Sequence, residues 1–472
     1  MSALDQSLLD RFADIVGPAH ALRDANDIAP YLRETRGLWP ARSSLVLKPG
    51  SVEEVSRILK LATETRTPVV PQGGNTGLVG GQVPHAAGNE IVVSLSRLNR
   101  IREIDTLSNT VTAEAGVVLE ALHRAVEAVD RLYPLSLASQ GSCEIGGNLS
   151  SNAGGTAVLS YGNTRELCLG VEVVLPTGEV FDDLRKLKKD NTGYDLKNLF
   201  VGAEGTLGII TAAVLKIFPR PRGREVGWAG VSSPEAALSL FGLASERAGA
   251  NLTGFELIGR TPLDFSLALT PDARPPLSGD WPWHVLVDIS SGRSQEDARA
   301  LMETILSDGL EKGVVGDAAI SESIAQGNAF WALRENISDA QKPEGGSIKH
   351  DISVPVASIS QFITRAAVAV ESVCPGARVV CFGHMGDGNL HYNVSQPRGM
   401  DKDAFLDLYR PMNKAVHDIV RDLNGSISAE HGIGQLKRDE LLATAPPVGI
   451  DLMRRVKAAF DPAGIMNPGK VI

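Results

Sequence analysis

Residues 379–394 read VVCFGHMGDGNLHYNV. Asp387-Gly388 is a type I′ turn signal between two alternating, strand-like runs. A two-residue turn there pairs 386 with 389 and 384 with 391. His384 and His391 then face each other on one side of the hairpin, with Cβ atoms ~5 Å apart. Asn393 lies two residues further on, shares that face, and is a candidate substrate contact. Two imidazoles at this spacing suit a divalent metal. A third ligand comes from SAEHGIG, residues 428–434, where glycines flank Glu430 and His431. Such a tight turn can aim both side chains into a cleft. A lone histidine is more often a packed side chain. The facing pair together with a Glu-His turn is what carries the metal reading. His384, His391 and Glu430 supply two nitrogens and a carboxylate oxygen, a set that fits Zn²⁺ and admits Mn²⁺, Co²⁺ or Fe²⁺. His431 remains as a base, since an imidazole titrates near neutral pH.

Three glycine-rich segments lie in the first half. Residues 71–78 read PQGGNTGL. Consecutive glycines let backbone N–H groups close on a pyrophosphate as an anion nest, and Asn75 and Thr76 add side-chain donors. Residues 141–155 read GSCEIGGNLSSNAGG. Small residues there let a flat ring lie against backbone. NTGYDLK at 191–197 precedes GAEGTLGII at 202–210. Any one segment alone reads as ordinary turn punctuation.

Two cationic side chains are candidates for holding an anionic group. FWALRE at 330–335 puts Arg334 on a helix, with Ser338 one turn later on the same face. Lys349 sits in the strand-like run SIKHDISV. Arg suits bidentate carboxylate binding and Lys supplies a point charge. Each alone reads as a solvated surface charge.

Two motifs are decoys. No G-x-G-x-x-G joins a strand to a helix, so a Rossmann nicotinamide site is not supported. GIMNPGK at 464–470 copies a Walker A up to its lysine, but Val471 follows and no helix remains to present its N-terminus to phosphate.

The elements that must position these groups are legible in outline. The 472 residues imply two or three domains. The formal charge of -10 argues against nucleic acid or anionic membrane as the main partner. Four scattered cysteines with no C-x-x-C pair suggest neither a disulfide scaffold nor a thiolate zinc site. The N-terminal MSALDQSLLDRFADIVG reads as an amphipathic surface helix, not a leader. No apolar run reaches the ~20 residues a membrane span needs. A cytoplasmic protein is expected. Alternating strands and helices run to PRPRGRE at 219–225, the expected boundary. The expected layout is α+β throughout: a glycine-rich domain over 1–220, a second domain with an antiparallel sheet that carries the paired histidines and the cationic candidates over 221–424, and a helical C-terminal segment over 425–472. That last segment carries the Glu-His turn and packs back on the first domain.

QGGNTGL, IGGN…NAGG and GAEGTLGIIT, in this order and spacing over residues 40–218, resemble the FAD domain of the vanillyl-alcohol oxidase/p-cresol methylhydroxylase superfamily. GHMGDGNLH, SAEHGIG and the closing FDPAGIMNPGK resemble signatures of FAD-linked D-2-hydroxy-acid dehydrogenases. KDNTGYDLK, GSCEIGGN and SAEHGIGQLKRD are most similar to the 2-hydroxyglutarate branch of that family. The resemblance covers nearly the whole chain and implies a two-part domain binding extended FAD. It implies pyrophosphate at Gly73, Gly74, Asn75, Thr76 and Gly77, with Pro71 and Leu78 as further cofactor contacts. It places the ring near Gly146, Gly147, Asn152, Gly154 and Gly155 and near Glu204, Gly205, Ile209 and Ile210, with Gly141, Ser142 and Asn467 as further cofactor contacts. Some relatives tether the flavin to a histidine in the first loop. Asn75 stands there in this chain, so non-covalent FAD is expected, and Cys143 is a buried filler residue rather than a thioether link. In the 2-hydroxyglutarate branch an Arg, a hydroxyl four residues later and a Lys fifteen later contact the substrate. Arg334, Ser338 and Lys349 match, with Ser in place of Thr. Asn393 and His431 complete the implied substrate contacts.

The implied reaction oxidises D-2-hydroxyglutarate, with D-malate as a second substrate, to the 2-keto acid. The metal activates the C2 hydroxyl, His431 takes its proton, and hydride passes to flavin N5. The electrons go to an external acceptor such as an electron-transfer flavoprotein or a quinone/cytochrome chain, because no iron–sulfur or haem spacing is present. A D-lactate or glycolate dehydrogenase is the alternative reading. A metal-dependent hydrolase and a non-catalytic paralogue are the rivals from other classes. A homodimer is an admissible assembly.

Overall fold

The computed structural model describes residues 4–34, 36–271 and 273–472. They divide into two compact units. One comprises the described residues within 4–155, 162–220 and 430–472, and the other those within 156–161 and 221–429.

The first unit contains two sheets. A four-stranded sheet runs in the order Ala21–Leu22, Val46–Leu47, Ile91–Ser94 and Val69–Gln72. Its last two pairings are parallel. Parallel strands of one sheet need a crossover, and the helix Val52–Thr65 lies in the connection from Val46–Leu47 to Val69–Gln72, two strands that flank Ile91–Ser94 in the sheet. Ser51 caps that helix by accepting the Glu54 amide, a bond contributing about 1 kcal/mol. Val55, Ile58, Leu59, Leu61 and Ala62 form its buried stripe. Each large side chain there is stabilised by roughly 1.5–3 kcal/mol through burial. The second sheet is antiparallel, in the order Ile101–Asp105, Thr110–Glu114, Ile209–Lys216, Cys168–Val174 and Val180–Asp183. Pro176-Thr177-Gly178 turns the last hairpin, where the Gly178 amide donates to the Leu175 carbonyl.

The C-terminal stretch is built into this unit. The Val69 amide donates to the Ile465 carbonyl, and the Asn467 amide donates to the Val69 carbonyl. Ile465 and Met466 are buried in the same core cluster as the helix Val52–Thr65. The apparent Walker A is therefore a core-packed, strand-like segment.

The second unit centres on one antiparallel sheet. Its order is Asp317–Ile320, Gly223–Val231, Trp283–Ser291, Leu252–Gly259, Arg378–His384, Asn389–Ser395 and Ser347–Ile348, with Asp351–Ser353 also pairing to Asn389–Ser395. Helices Pro234–Ala248, Gln295–Glu311, Ile359–Val373 and Tyr409–Asp422 bury apolar stripes in its main core.

Two sequence expectations fail locally here. The hairpin after Arg378–His384 is not closed by a two-residue turn. The observed register pairs Phe382 with His391 and Val380 with Asn393. Residues 385–388 form the connection, and only Gly388 of the Asp387-Gly388 pair has positive φ, at 88°, whereas a type I′ turn needs both. Gly383 explains the departure. It adopts φ 155°, and a Cβ there would collide with the Asn389 carbonyl. The second failure is the strand expected through SIKHDISV. It breaks at Lys349 and His350. Both flanking pieces keep one register on Asn389–Ser395, but in the break the His350 amide donates to the Asn393 side-chain oxygen.

Candidate functional site

In the second unit the two histidines occupy neighbouring strands on one face, as diagonal rather than directly opposed residues. A slip of two residues moves a side chain along the strand and keeps its face. Their rings are 5.6 Å apart between centroids, in edge contact. His384 is buried, and its strand neighbour across the other edge is Glu256, on Leu252–Gly259.

Glu256 organises this part of the unit. Its Oε1 lies 2.7 Å from His384 Nδ1, and its Oε2 accepts from Arg334 Nε at 2.7 Å. All three side chains are at least nine-tenths buried. Burial alone would push the Glu256 carboxyl up, but His384 and Arg334 outweigh it and hold the group down at about 2. A carboxylate against Nδ1 fixes the proton on that nitrogen and leaves the ring's lone pair on Nε2, the arrangement a metal-ligating histidine needs. Arg334 stacks over Phe382, 4.8 Å from the ring centroid. Its Nη2 is buried and has no hydrogen-bond partner among the described residues. An orphaned guanidinium donor in a dry place is costly and suits an incoming carboxylate.

The remaining substrate candidates are placed differently from Arg334. The helix Ile324–Glu335 ends one residue after Arg334, and Ser338 lies exposed in a separate turn, Ile337–Ala340. Lys349 is exposed in the strand break, not within a continuous strand. Asn393 is buried, and its amide is engaged with the His350 N–H and with Gln341 Oε1. Half-buried Asp387 follows His384 by three residues. Burial raises its carboxyl to about 6 against the pull of His384.

In the first unit, the loop after strand Val69–Gln72 carries Gly73 to Leu78. A Cβ on Gly74 would collide with the Ser142 carbonyl, so the first glycine segment packs directly on the second. Asn75 has φ 55°, and its side-chain amide donates to the Pro30 and Arg33 carbonyls. That side chain fastens the loop, leaving donation to a ligand to the backbone. Gly147 has no atom within 4 Å of its would-be Cβ, an open surface a flat ring can approach. Glu144 and Asn148 flank it, and Glu144 Oε2 and Asn148 Nδ2 are buried with no partner among the described residues. Burial pushes the Glu144 carboxyl up to about 8. These orphaned atoms and the open Gly147 fit a polar, flat cofactor.

Several other candidates tie the loops together. Asn152 Oδ1 accepts the Arg165 amide, capping a short helix. Gly205 packs against Pro71. Asn467 Nδ2 donates to the Gly81 and Glu204 carbonyls. The Glu204 carboxylate accepts the Ile433 amide at 2.7 Å and the Gly434 amide at 2.8 Å. Its side chain thus holds the turn bearing Glu430 and His431. The Glu430 carboxylate lies against Gly154, with Oε1 3.0 Å from the glycine's would-be Cβ. Gly141 and Ser142 lie in the 139–144 turn, where the Ser142 amide donates to the Ser139 carbonyl. Gly146 packs on Ala115, and Gly155 packs on the Ser136 carbonyl. Ile209 and Ile210 are buried in their strand. Cys143 is buried and reduced.

Sequence reasoning missed Glu256 and the particular role of Glu204. The signal for Glu256 was present. It is the one acid in LTGFELIG, an otherwise apolar strand, and a buried acid needs a partner.

The comparisons agree with this architecture. Residues 43–183 match the FAD binding domain model, and residues 220–471 match the C-terminal domain model of FAD linked oxidases. The fold is also that of p-cresol methylhydroxylase (TM-score 0.76, 16% identity, covering 98% of this chain and 96% of that one). Alkyldihydroxyacetonephosphate synthase is likewise similar (TM-score 0.75, 19% identity, 99% and 86% covered). The class is therefore an FAD-dependent oxidoreductase with a vanillyl-alcohol oxidase/p-cresol methylhydroxylase-type fold. Among curated proteins, the D-2-hydroxyglutarate dehydrogenase of Stutzerimonas stutzeri is 36% identical, with 99% of both chains covered. The mitochondrial enzyme of that name from Arabidopsis thaliana is 36% identical over all of this chain and 82% of its own length. The one from Danio rerio is 38% identical over 91% of this chain and 78% of its own. The chain belongs to the family of FAD-linked D-2-hydroxy-acid dehydrogenases. No helix among the described residues is long and apolar enough to cross a membrane.

Proposed function

We propose that the chain oxidises D-2-hydroxyglutarate, and D-malate as a second substrate, to the corresponding 2-keto acid. The relatives' names supply the substrate class. The observation that carries it to this chain is buried Arg334, whose Nη2 has no partner among the described residues. A desolvated guanidinium with a spare donor favours an anionic substrate group. Exposed Lys349 suits the second carboxylate of a diacid, and Ser338 and Asn393 are the proposed neutral contacts.

FAD, held without a covalent link by the glycine segments, supplies the acceptor for two electrons and the C2 hydrogen. A divalent metal, Zn²⁺ first, supplies a Lewis acid that eases deprotonation of the C2 hydroxyl. His384, His391 and Glu430 are its proposed ligands on the motif reading. The imidazole chemistry set by Glu256 supports the first of them. His431 takes the hydroxyl proton as general base. Arg334 and Lys349 hold the carboxylates and so fix which face of C2 is presented. The acceptor that reoxidises the flavin is external, an electron-transfer flavoprotein or a quinone/cytochrome chain. A cytoplasmic location and a homodimer complete the proposal.

Anaerobic mixing of the yellow protein with D- and L-2-hydroxy acids, with and without chelator, tests the reading. D-2-hydroxyglutarate should bleach the flavin, and the chelator should slow it. Faster bleaching by D-lactate or glycolate would reassign the substrate. A colourless protein that takes up no FAD would sink the proposal.

A further inference from the structure

We infer that Glu256 is a positioning residue whose single carboxylate couples the proposed metal ligand His384 to the proposed substrate clamp Arg334. The inference rests on the substrate and metal reading above and deepens it.

The geometry is specific. One carboxylate oxygen lies 2.7 Å from His384 Nδ1 and the other 2.7 Å from Arg334 Nε. The strand Leu252–Gly259 places Glu256 beside His384 in register, while Arg334 reaches it from the last turn of helix Ile324–Glu335. Both partners are donors to the same group. An ionised carboxylate is acceptor-only and satisfies both at once. It therefore fixes two things: the His384 tautomer with its lone pair on Nε2, and the guanidinium orientation that leaves Nη2 unpartnered. Phe382 holds the guanidinium from its flat side. With Nε engaged by Glu256 and a face covered by the ring, buried Nη2 is a donor left over for a ligand.

A glutamine at 256 cannot do both tasks. Its oxygen can accept from one partner only, and its NH₂ must then face the other. If the NH₂ faces His384, Nδ1 must become the acceptor and the ring proton moves to Nε2, which removes that nitrogen as a ligand. If it faces Arg334, two donors oppose each other and the guanidinium turns away. One carboxylate thus ties metal retention to carboxylate binding, and any substitution that loosens one loosens the other.

The experiment compares the wild-type flavoprotein with Glu256→Gln, using flavin absorbance as the folding check. If Glu256→Gln does not retain flavin, Glu256→Asp, which keeps the charge on a shorter stem, carries the same readouts. Three quantities are read. The tautomer of His384 comes from ¹⁵N spectra of histidine-labelled protein, assigned by the signal lost in His384→Gln. Metal content comes from elemental analysis after dialysis against a chelator. The third is the division of any loss between KM and kcat for D-2-hydroxyglutarate. The expected result is loss of the Nδ1–H tautomer, roughly ten- to hundredfold weaker metal retention, and a larger rise in KM than fall in kcat. An unchanged tautomer with unchanged KM overturns the inference. A wild-type protein that no 2-hydroxy acid reduces defeats the proposed function instead, and the tautomer measurement still decides the role of Glu256.

Discussion

Replacing Glu204 with glutamine should loosen the turn that carries His431. The Glu204 carboxylate accepts two backbone amides, Ile433 at 2.7 Å and Gly434 at 2.8 Å, one on each oxygen. Gln keeps one acceptor and sets its NH₂ against the other amide. A hydrogen bond to a charged group contributes ~1.5–3 kcal/mol, and a donor left without a partner costs ~1–3 kcal/mol. The site is part-buried, which favours the low end, so a net loss of about 2 kcal/mol is expected. For a unit of this size that lowers Tm by ~4–8 °C. The functional consequence is separate. His431 sits two residues before Ile433 in the clamped turn, so kcat should fall while the flavin stays bound. Thermal melts and steady-state kinetics of the purified flavoprotein measure both. An unchanged Tm would refute the clamp. A lowered Tm with unchanged kcat would refute the link from clamp to base.

Four further outcomes follow from the same geometry. Glu144→Gln should flatten a pH dependence of stability: burial holds the folded carboxyl near 8 while the unfolded one titrates in the ordinary range. The folded state therefore retains a proton that the unfolded state releases, and stability falls as pH rises from the unfolded value through about 8. The variant should melt higher than wild type near pH 9 and show little gain near pH 5, and equal gains at both would contradict the assignment. Gly74→Ala sets a Cβ into the Ser142 carbonyl and should yield colourless protein, checked by flavin absorbance; normal FAD content would show that the two loops need not meet. His431→Ala should retain FAD yet fail to bleach with substrate, and surviving turnover would reassign the base. Lys349→Ala should raise KM for diacids far more than for D-lactate, measured by initial rates, and a uniform effect would make Lys349 an unselective surface charge.

What the sequence displayed and what it hid divide along physical lines. Local signals were readable because they act over a few residues. The glycine-flanked turn at 428–434 and the alternating runs on either side of residues 385–388 are signals of this kind. The histidine pair shows why a wrong detail can leave a right conclusion. The turn chemistry pointed to Asp387-Gly388 and a register two residues away from the observed one. Strand side chains alternate with period two, so an error of two leaves both imidazoles on one face, whereas an error of one would have parted them. Long-range pairing was not readable. Taken alone, without the family resemblance, Arg334 reads as a surface charge because its partner lies 78 residues earlier, on a strand whose neighbours are set by the sheet order. Lys349 looked like a strand residue because propensity does not reveal that the Asn393 side chain takes a backbone amide out of the ladder. Glu204 stood in a glycine motif that resembles a flavin contact, yet its carboxylate faces backbone amides more than 200 residues on. In each case the hidden fact is a polar group satisfied at long range. Such a group can be anticipated from sequence as a lone acid among apolar neighbours, as at Glu256, but only the fold supplies the partner that gives it a role.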